Sequence, residues 1–154
     1  MATTTTYANG LLTTQFDYSK TFIWNGRYRT GTYTNSSGSP VTISNGQLIG
    51  RIFASHLLAP QVSTATDGSQ IPIGVVRGSY TVANGASVTI NYCYSGDIEV
   101  AALVFGGSDT INTVILLNSS VPAATTTQIG TIEDLLVARN INPISATDNT
   151  HQDN

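Results

Sequence analysis

A chain of 154 residues and 16.2 kDa is sized for one domain, and at this length a fold buries roughly 68–70% of its unfolded surface without help from a metal or a disulfide framework. Charged residues are only 10% of the sequence, against about 25% in a typical soluble protein. The balance of 6 basic against 9 acidic residues, net −3, leaves no basic field for a nucleic acid backbone or an anionic membrane, so neither is expected as a partner.

The chain starts Met1-Ala2-Thr3-Thr4-Thr5-Thr6, with neither a basic nor an apolar segment, so no signal peptide is expected and assembly in a cytoplasm is the simplest reading. Residues 1 to about 20 carry scattered Leu11, Leu12, Phe16 and Tyr18 without sustained periodicity. They read as an arm whose apolar residues suit docking on a neighbouring subunit or adding a strand to its sheet, the alternative being a frayed terminus. The segment from Phe22 to Tyr33 is strand-forming in its own right, and Arg27 and Arg29 would share one strand face. Asn35-Ser36-Ser37-Gly38-Ser39 reads as a flexible hinge.

Four Asn-Gly pairs, Asn9-Gly10, Asn25-Gly26, Asn45-Gly46 and Asn84-Gly85, are hairpin candidates because both residues tolerate positive φ. The best hairpin runs from Tyr80 to Tyr94, where Val88, Ile90, Tyr92 and Tyr94 alternate with Ser87, Thr89, Asn91 and Cys93. From Pro40 to Phe105 the chain reads as short strands and turns, which predicts a small sheet or barrel. Thr113-Val114-Ile115-Leu116-Leu117 is the longest apolar stretch, far short of the roughly 20 residues that span a bilayer, and reads as a buried strand or an interface. Thr131-Ile132-Glu133-Asp134 resembles a capping box, and Ile132, Leu135, Leu136 and Arg139 follow at helical spacing, so a helix is expected over about 131–139, stopped by Asn140.

The expected fold is therefore mainly β, α+β by strict count: a small β-sandwich or barrel-like domain with one short C-terminal helix and an N-terminal arm. The division reads as residues 1–39 for the arm or strand extension, 40–147 for the β-rich domain and 148–154 for a loose tail.

Enzyme signatures are scarce. His56 and His151 form no closely spaced ligand pair. Asp97 and Glu99 lie two apart and would face one way on a strand, as an acid/base pair, a cation site or, more commonly, solvated charge. Asp67-Gly68-Ser69 is turn chemistry without the rest of a calcium loop, Gly26 and Gly31 belong to no phosphate-binding loop, and Cys93, the single cysteine, reads as a small packed side chain. No catalytic, metal or cofactor site is expected.

Three segments carry a likeness to a known family: Gly46-Gln47-Leu48-Ile49-Gly50-Arg51-Ile52, the run from Thr66-Asp67-Gly68-Ser69 to Gly74-Val75-Val76, and Ser95-Gly96-Asp97-Ile98-Glu99-Val100-Ala101-Ala102-Leu103. Together with the helix from Ile132 to Ile141, they resemble the small lambda-like head decoration proteins of tailed bacteriophages. Those proteins commonly carry a Gly-Ile pair after the helix, where this chain has Asn140-Ile141. The resemblance implies a non-enzymatic virion protein, a homotrimer on the outer surface of the capsid that binds the major capsid protein and stabilises the shell, with other head-surface or fibre proteins as further partners. On that reading Tyr7, Leu11, Leu12 and Phe16 dock on the capsid, and Ile71, Pro72 and Ile73 form the trimer contact, ordinary core packing being the alternative for the last three. Rival readings are a head-fibre or tail-fibre module, a glycan-binding module built on Trp24, Tyr28 and Tyr33, and a small glycan hydrolase using Asp97 and Glu99.

Overall fold

The computed structural model describes residues 3–6, 12–15, 24–119 and 125–145. Its strands are β1 (Thr3–Thr6), β2 (Leu12–Gln15), β3 (Trp24–Thr34), β4 (Val41–Ile43), β5 (Leu48–Arg51), β6 (Leu58–Pro60), β7 (Gly74–Val76), β8 (Tyr80–Val82), β9 (Ser87–Glu99), β10 (Val114–Ser119), β11 (Thr125–Thr131) and β12 (Ile141–Ile144), with helix α1 (Ile132–Val137) before the last. Among the described residues the domain is mainly β, with mixed sheet topology and one short α-helix. A six-stranded sheet runs β12-β9-β3-β6-β5-β7, and β9 pairs with β7 as well. The β12–β9 and β3–β6 pairs are parallel, the others antiparallel. Two-stranded ladders β4–β8, β10–β11 and β1–β2 complete the set.

Successive side chains of a strand point to opposite faces, so a sheet buried on both sides reads as a continuous apolar run. β5 and β7 behave in this way. Leu48 and Val75 join one cluster with Ile98, Leu103, Ile115, Ile132, Leu136 and Ile141, while Ile49 and Val76 join another with Tyr33, Ile43, Leu58, Val82, Ile90 and Tyr92. The ladder β4–β8 covers the second cluster through Ile43 and Val82; α1, β10 and β12 cover the first.

The alternation expected in β9 is present, since Val88, Ile90, Tyr92 and Tyr94 all pack in the Tyr33 cluster. The register with β3 then slips, Tyr28 pairing with Cys93 but Arg27 with Ser95. One extra residue reverses the alternation, which is why Ile98 serves the opposite cluster.

The hairpin expected from Tyr80 to Tyr94 does not form as a ladder: β8 pairs with β4, not with β9. A two-residue hairpin turn of the favoured type needs positive φ at both central residues. Only Gly85 supplies it, at +77°, within a turn closed by Ala86 N–H donating to the Ala83 carbonyl at 3.1 Å. Asn45-Gly46 behaves alike, with Gly46 at +85°. Asn25, at +53°, sits where β3 gains a residue over β9. Asn9-Gly10 lies outside the described residues.

Residues 24–34, placed above in the arm or strand extension, are β3, paired with β9 from Trp24 to Thr34, because the alternating strand formers after Trp24 find a full-length partner in the sheet. The expected hinge at 35–39 is anchored by Asn35, which is fully buried and donates from Nδ2 to the carbonyls of Ser39 at 2.7 Å and Val82 at 2.8 Å.

The helix is shorter than the spacing predicts, Ile132–Val137, but starts as expected. The Asp134 N–H donates to Thr131 Oγ1 at 3.1 Å and the Thr131 N–H to Asp134 Oδ2 at 2.9 Å, a reciprocal capping box. The bond from the Thr131 N–H, with a second from the Thr131 hydroxyl to Asp134 Oδ2 at 2.8 Å, holds the Asp134 carboxyl below the usual carboxylate range. Asn140 ends the segment at φ +59°. Thr131→Ala is expected to cost about 1 kcal/mol in urea melts at pH 7. A carboxyl with a lowered pKa in the folded state contributes stability above its unfolded pKa and loses it on acidification through the folded value, so the deficit narrows as the pH falls below about 4.

Candidate functional site

β3 and β9 set Arg29 directly across from Tyr92, with Tyr94 next along the same face. β5 ends on Arg51, whose Nη2 donates to Tyr92 Oη at 3.4 Å. Phe53 follows and lies against Gly68, where any Cβ would strike its ring. Arg139, just past α1, completes a cleft of about 470 Å³ that Ala138, Ile71 and Ile73 also line. The Arg29 guanidinium stands 4.3 Å from the centre of the Tyr94 ring, a cation–π contact that fixes its orientation. Phe53 is 59% exposed at the rim. Half of the chain's 6 basic residues thus converge on one cleft, and no carboxylate among the described residues forms an ion pair with them. Guanidinium groups beside aromatic rings recognise planar oxyanions through forked donors.

A second cleft, of about 560 Å³, is mainly polar, lined by Asn25, Gly26, Arg27, Ser95, Gly96, Asp97, Asn140 and Asn142. Here Asn142 Nδ2 donates to Asp97 Oδ1 at 2.9 Å. Arg27 and Arg29 therefore line different clefts, the irregular register around Arg27 having separated two residues that spacing put together.

Of the residues singled out by sequence, Ile71 and Ile73 are half-buried in the wall of the arginine cleft and Pro72 between them is buried. Leu12 pairs with Thr6 in the β1–β2 ladder, while Tyr7, Leu11 and Phe16 lie outside the described residues. Asp97 is engaged with Asn142, and Glu99 Oε1 accepts from the Ala101 N–H at 3.3 Å. Asp67 accepts from Ser69 Oγ at 2.6 Å and Ser69 N–H at 3.0 Å, which holds its carboxyl below the usual range. Tyr33 is in the core, and Tyr28 is half-buried with the Arg77 guanidinium 4.7 Å from its ring centre, so these two do not form a solvent-facing aromatic patch. Cys93 is buried, its Sγ donates to the Ser95 carbonyl, and burial pushes the thiol pKa up. His56 is exposed at φ +59°. Among the described residues no group of three or more His, Cys, Asp or Glu is placed to hold a metal, and no helix is long and apolar enough to cross a membrane.

The arginine cleft was missed because its parts come from residues 29, 51, 53 and 139, and no local motif marks them. Compared with models of known protein families, the chain matches none. No curated protein matches it either.

Proposed function

We propose that this chain is a structural virion protein, a trimeric decoration protein that binds the outer surface of a phage head through the major capsid protein and stabilises the shell. The observation that supports this most is the meeting of the segments that carry the family resemblance. Leu48 pairs with Val75, and Gly96 and Ile98 pair with Ile141 and Pro143. Leu48, Val75, Ile98, Leu103, Ile132, Leu136 and Ile141 then pack into one cluster.

On this reading the pairings β9-β3-β6-β5-β7-β9 make a barrel-like body, with β12 outside the ring. Val114 and Leu116, about 40% exposed on either side of fully buried Ile115, suit contact with a subunit. Cementing needs many modest contacts repeated over a lattice, so avidity among the legs of a trimer replaces a single strong site.

Co-sedimentation of the purified chain with expanded heads and with unexpanded precursor shells tests the reading. Saturable binding to expanded heads is expected, weakened when residues 1–20 are removed, together with a solution mass near three times 16.2 kDa. A monomer that pellets with neither shell would overturn it.

A further inference from the structure

We propose that the cleft of Arg29, Arg51 and Arg139 is a binding site for an acidic peptide segment, one that presents carboxylate side chains next to an apolar residue. The site is defined by the cleft alone and is independent of the decoration reading.

Charge favours an acidic partner. In a chain of net charge −3, the convergence of 3 of its 6 basic residues on one concavity sets a local field opposite to that of the whole molecule. Like charges placed together without a counter-ion repel, and here the described residues supply none. An incoming carboxylate would relieve that repulsion, and its hydrogen bonds to guanidinium are stronger than neutral ones.

Preorganisation lowers the cost of binding. Arg29 is held by stacking on Tyr94 and Arg51 by its bond to Tyr92, and both rings belong to the same stretch of β9. Tyr92 is core-packed, so part of the ordering entropy of these long side chains is already lost before a partner arrives.

Shape and polarity select the class of partner. Ile71 and Ile73 form an apolar wall and Phe53 stands exposed at the rim. A free inorganic anion would use the guanidinium groups and leave those surfaces wet. A peptide side chain beside the carboxylate would cover them, and aromatic side chains that become buried in this way are the common anchors of protein recognition.

The test is titration calorimetry of the full chain with a ten-residue peptide alternating glutamate and leucine, against its glutamine counterpart, citrate and inorganic phosphate. The acidic peptide is expected to bind, with about tenfold weakening in Arg51→Gln and in Arg139→Gln, which is the fold-change of one good charged contact. Arg77→Gln changes the net charge equally but lies outside the cleft, and should bind as the parent does. Circular dichroism of each variant establishes that it is folded. Absence of binding by the acidic peptide overturns the proposal, as does equal weakening by Arg77→Gln, binding of the glutamine peptide with the same affinity, or binding of citrate or phosphate as tight as that of the peptide. Failure to decorate heads bears on none of these outcomes, so the two proposals fail separately.

Discussion

Gly50→Ala is expected to destabilise the domain by about 3 kcal/mol, the upper part of the range for forcing atoms into a filled interior. A Cβ at this position would run into the backbone carbonyl of Ser69, a main-chain group that cannot swing aside as a side chain would. Neither wall has room to yield. Gly50 is held in β5, in register with Ala59 of β6, and Ser69 is held by the Asp67 carboxylate, which accepts from both its N–H and its hydroxyl. Relief would therefore have to come from separating β5 from the Asp67–Ser69 turn, and Gln70, buried just beyond, would move with it. Urea unfolding should show a lower midpoint at an unchanged slope. A variant within about 0.5 kcal/mol of the parent, the range of ordinary surface changes, would show that the Ser69 carbonyl is free to retreat.

Gly50 also illustrates what can be read from a sequence. As one glycine of the run Gly46 to Ile52 it marks a short strand, and the strand is there. Its reason for being glycine is a close approach by a chain about twenty residues away in sequence, which no local pattern contains. The same division runs through the fold. The row Val88, Ile90, Tyr92 and Tyr94 was legible because period two is a property of the strand itself, and the start of α1 was legible because its capping box lies within four consecutive residues. The partner of β8 was not. Asn84-Gly85 specifies a turn, but where the following strand pairs depends on which apolar face needs cover, and Val82 is drawn with Ile43 onto the Tyr33 cluster. The one-residue slip near Tyr94, which hands Ile98 to the other cluster, is likewise a property of two paired strands rather than of one. The arginine cleft lies at the far end of this scale, since Arg29, Arg51 and Arg139 come together only when β3, β5 and the end of α1 are in place.

Asn35→Asp is the second large effect expected, about 3 kcal/mol at pH 7, and it carries a sign in pH. In Asn35-Ser36-Ser37-Gly38-Ser39 every residue suits a loose loop, yet the Asn35 side chain is the pin that joins three segments. Its Nδ2 donates to the Ser39 and Val82 carbonyls, its Oδ1 accepts from the Ser37 N–H at 3.0 Å, and its backbone bonds to Ala86 and Gly85. A carboxylate of the same shape keeps the Ser37 bond but turns an oxygen toward two carbonyl oxygens, leaving buried acceptors unpaired at about 1–3 kcal/mol each. Protonation restores a donor, so the new carboxyl titrates at a higher pH in the folded protein than in the unfolded chain, near 3.9 for the latter. The folded state then binds more protons than the unfolded one above that value, and the variant loses stability as the pH rises from about 4 toward neutrality. Asn35→Ala removes the same donors without adding a charge, so its deficit should stay level over that interval. Urea midpoints of both variants and the parent at about pH 4.5, 6 and 7.5 separate the cases, because the Asp deficit grows by up to about 1.4 kcal/mol for each pH unit over which only the folded state holds the proton. If the two variants track each other at all three values, the Asn35 amide is not the buried donor that ties the start of β4 and the end of β8 to the sheet.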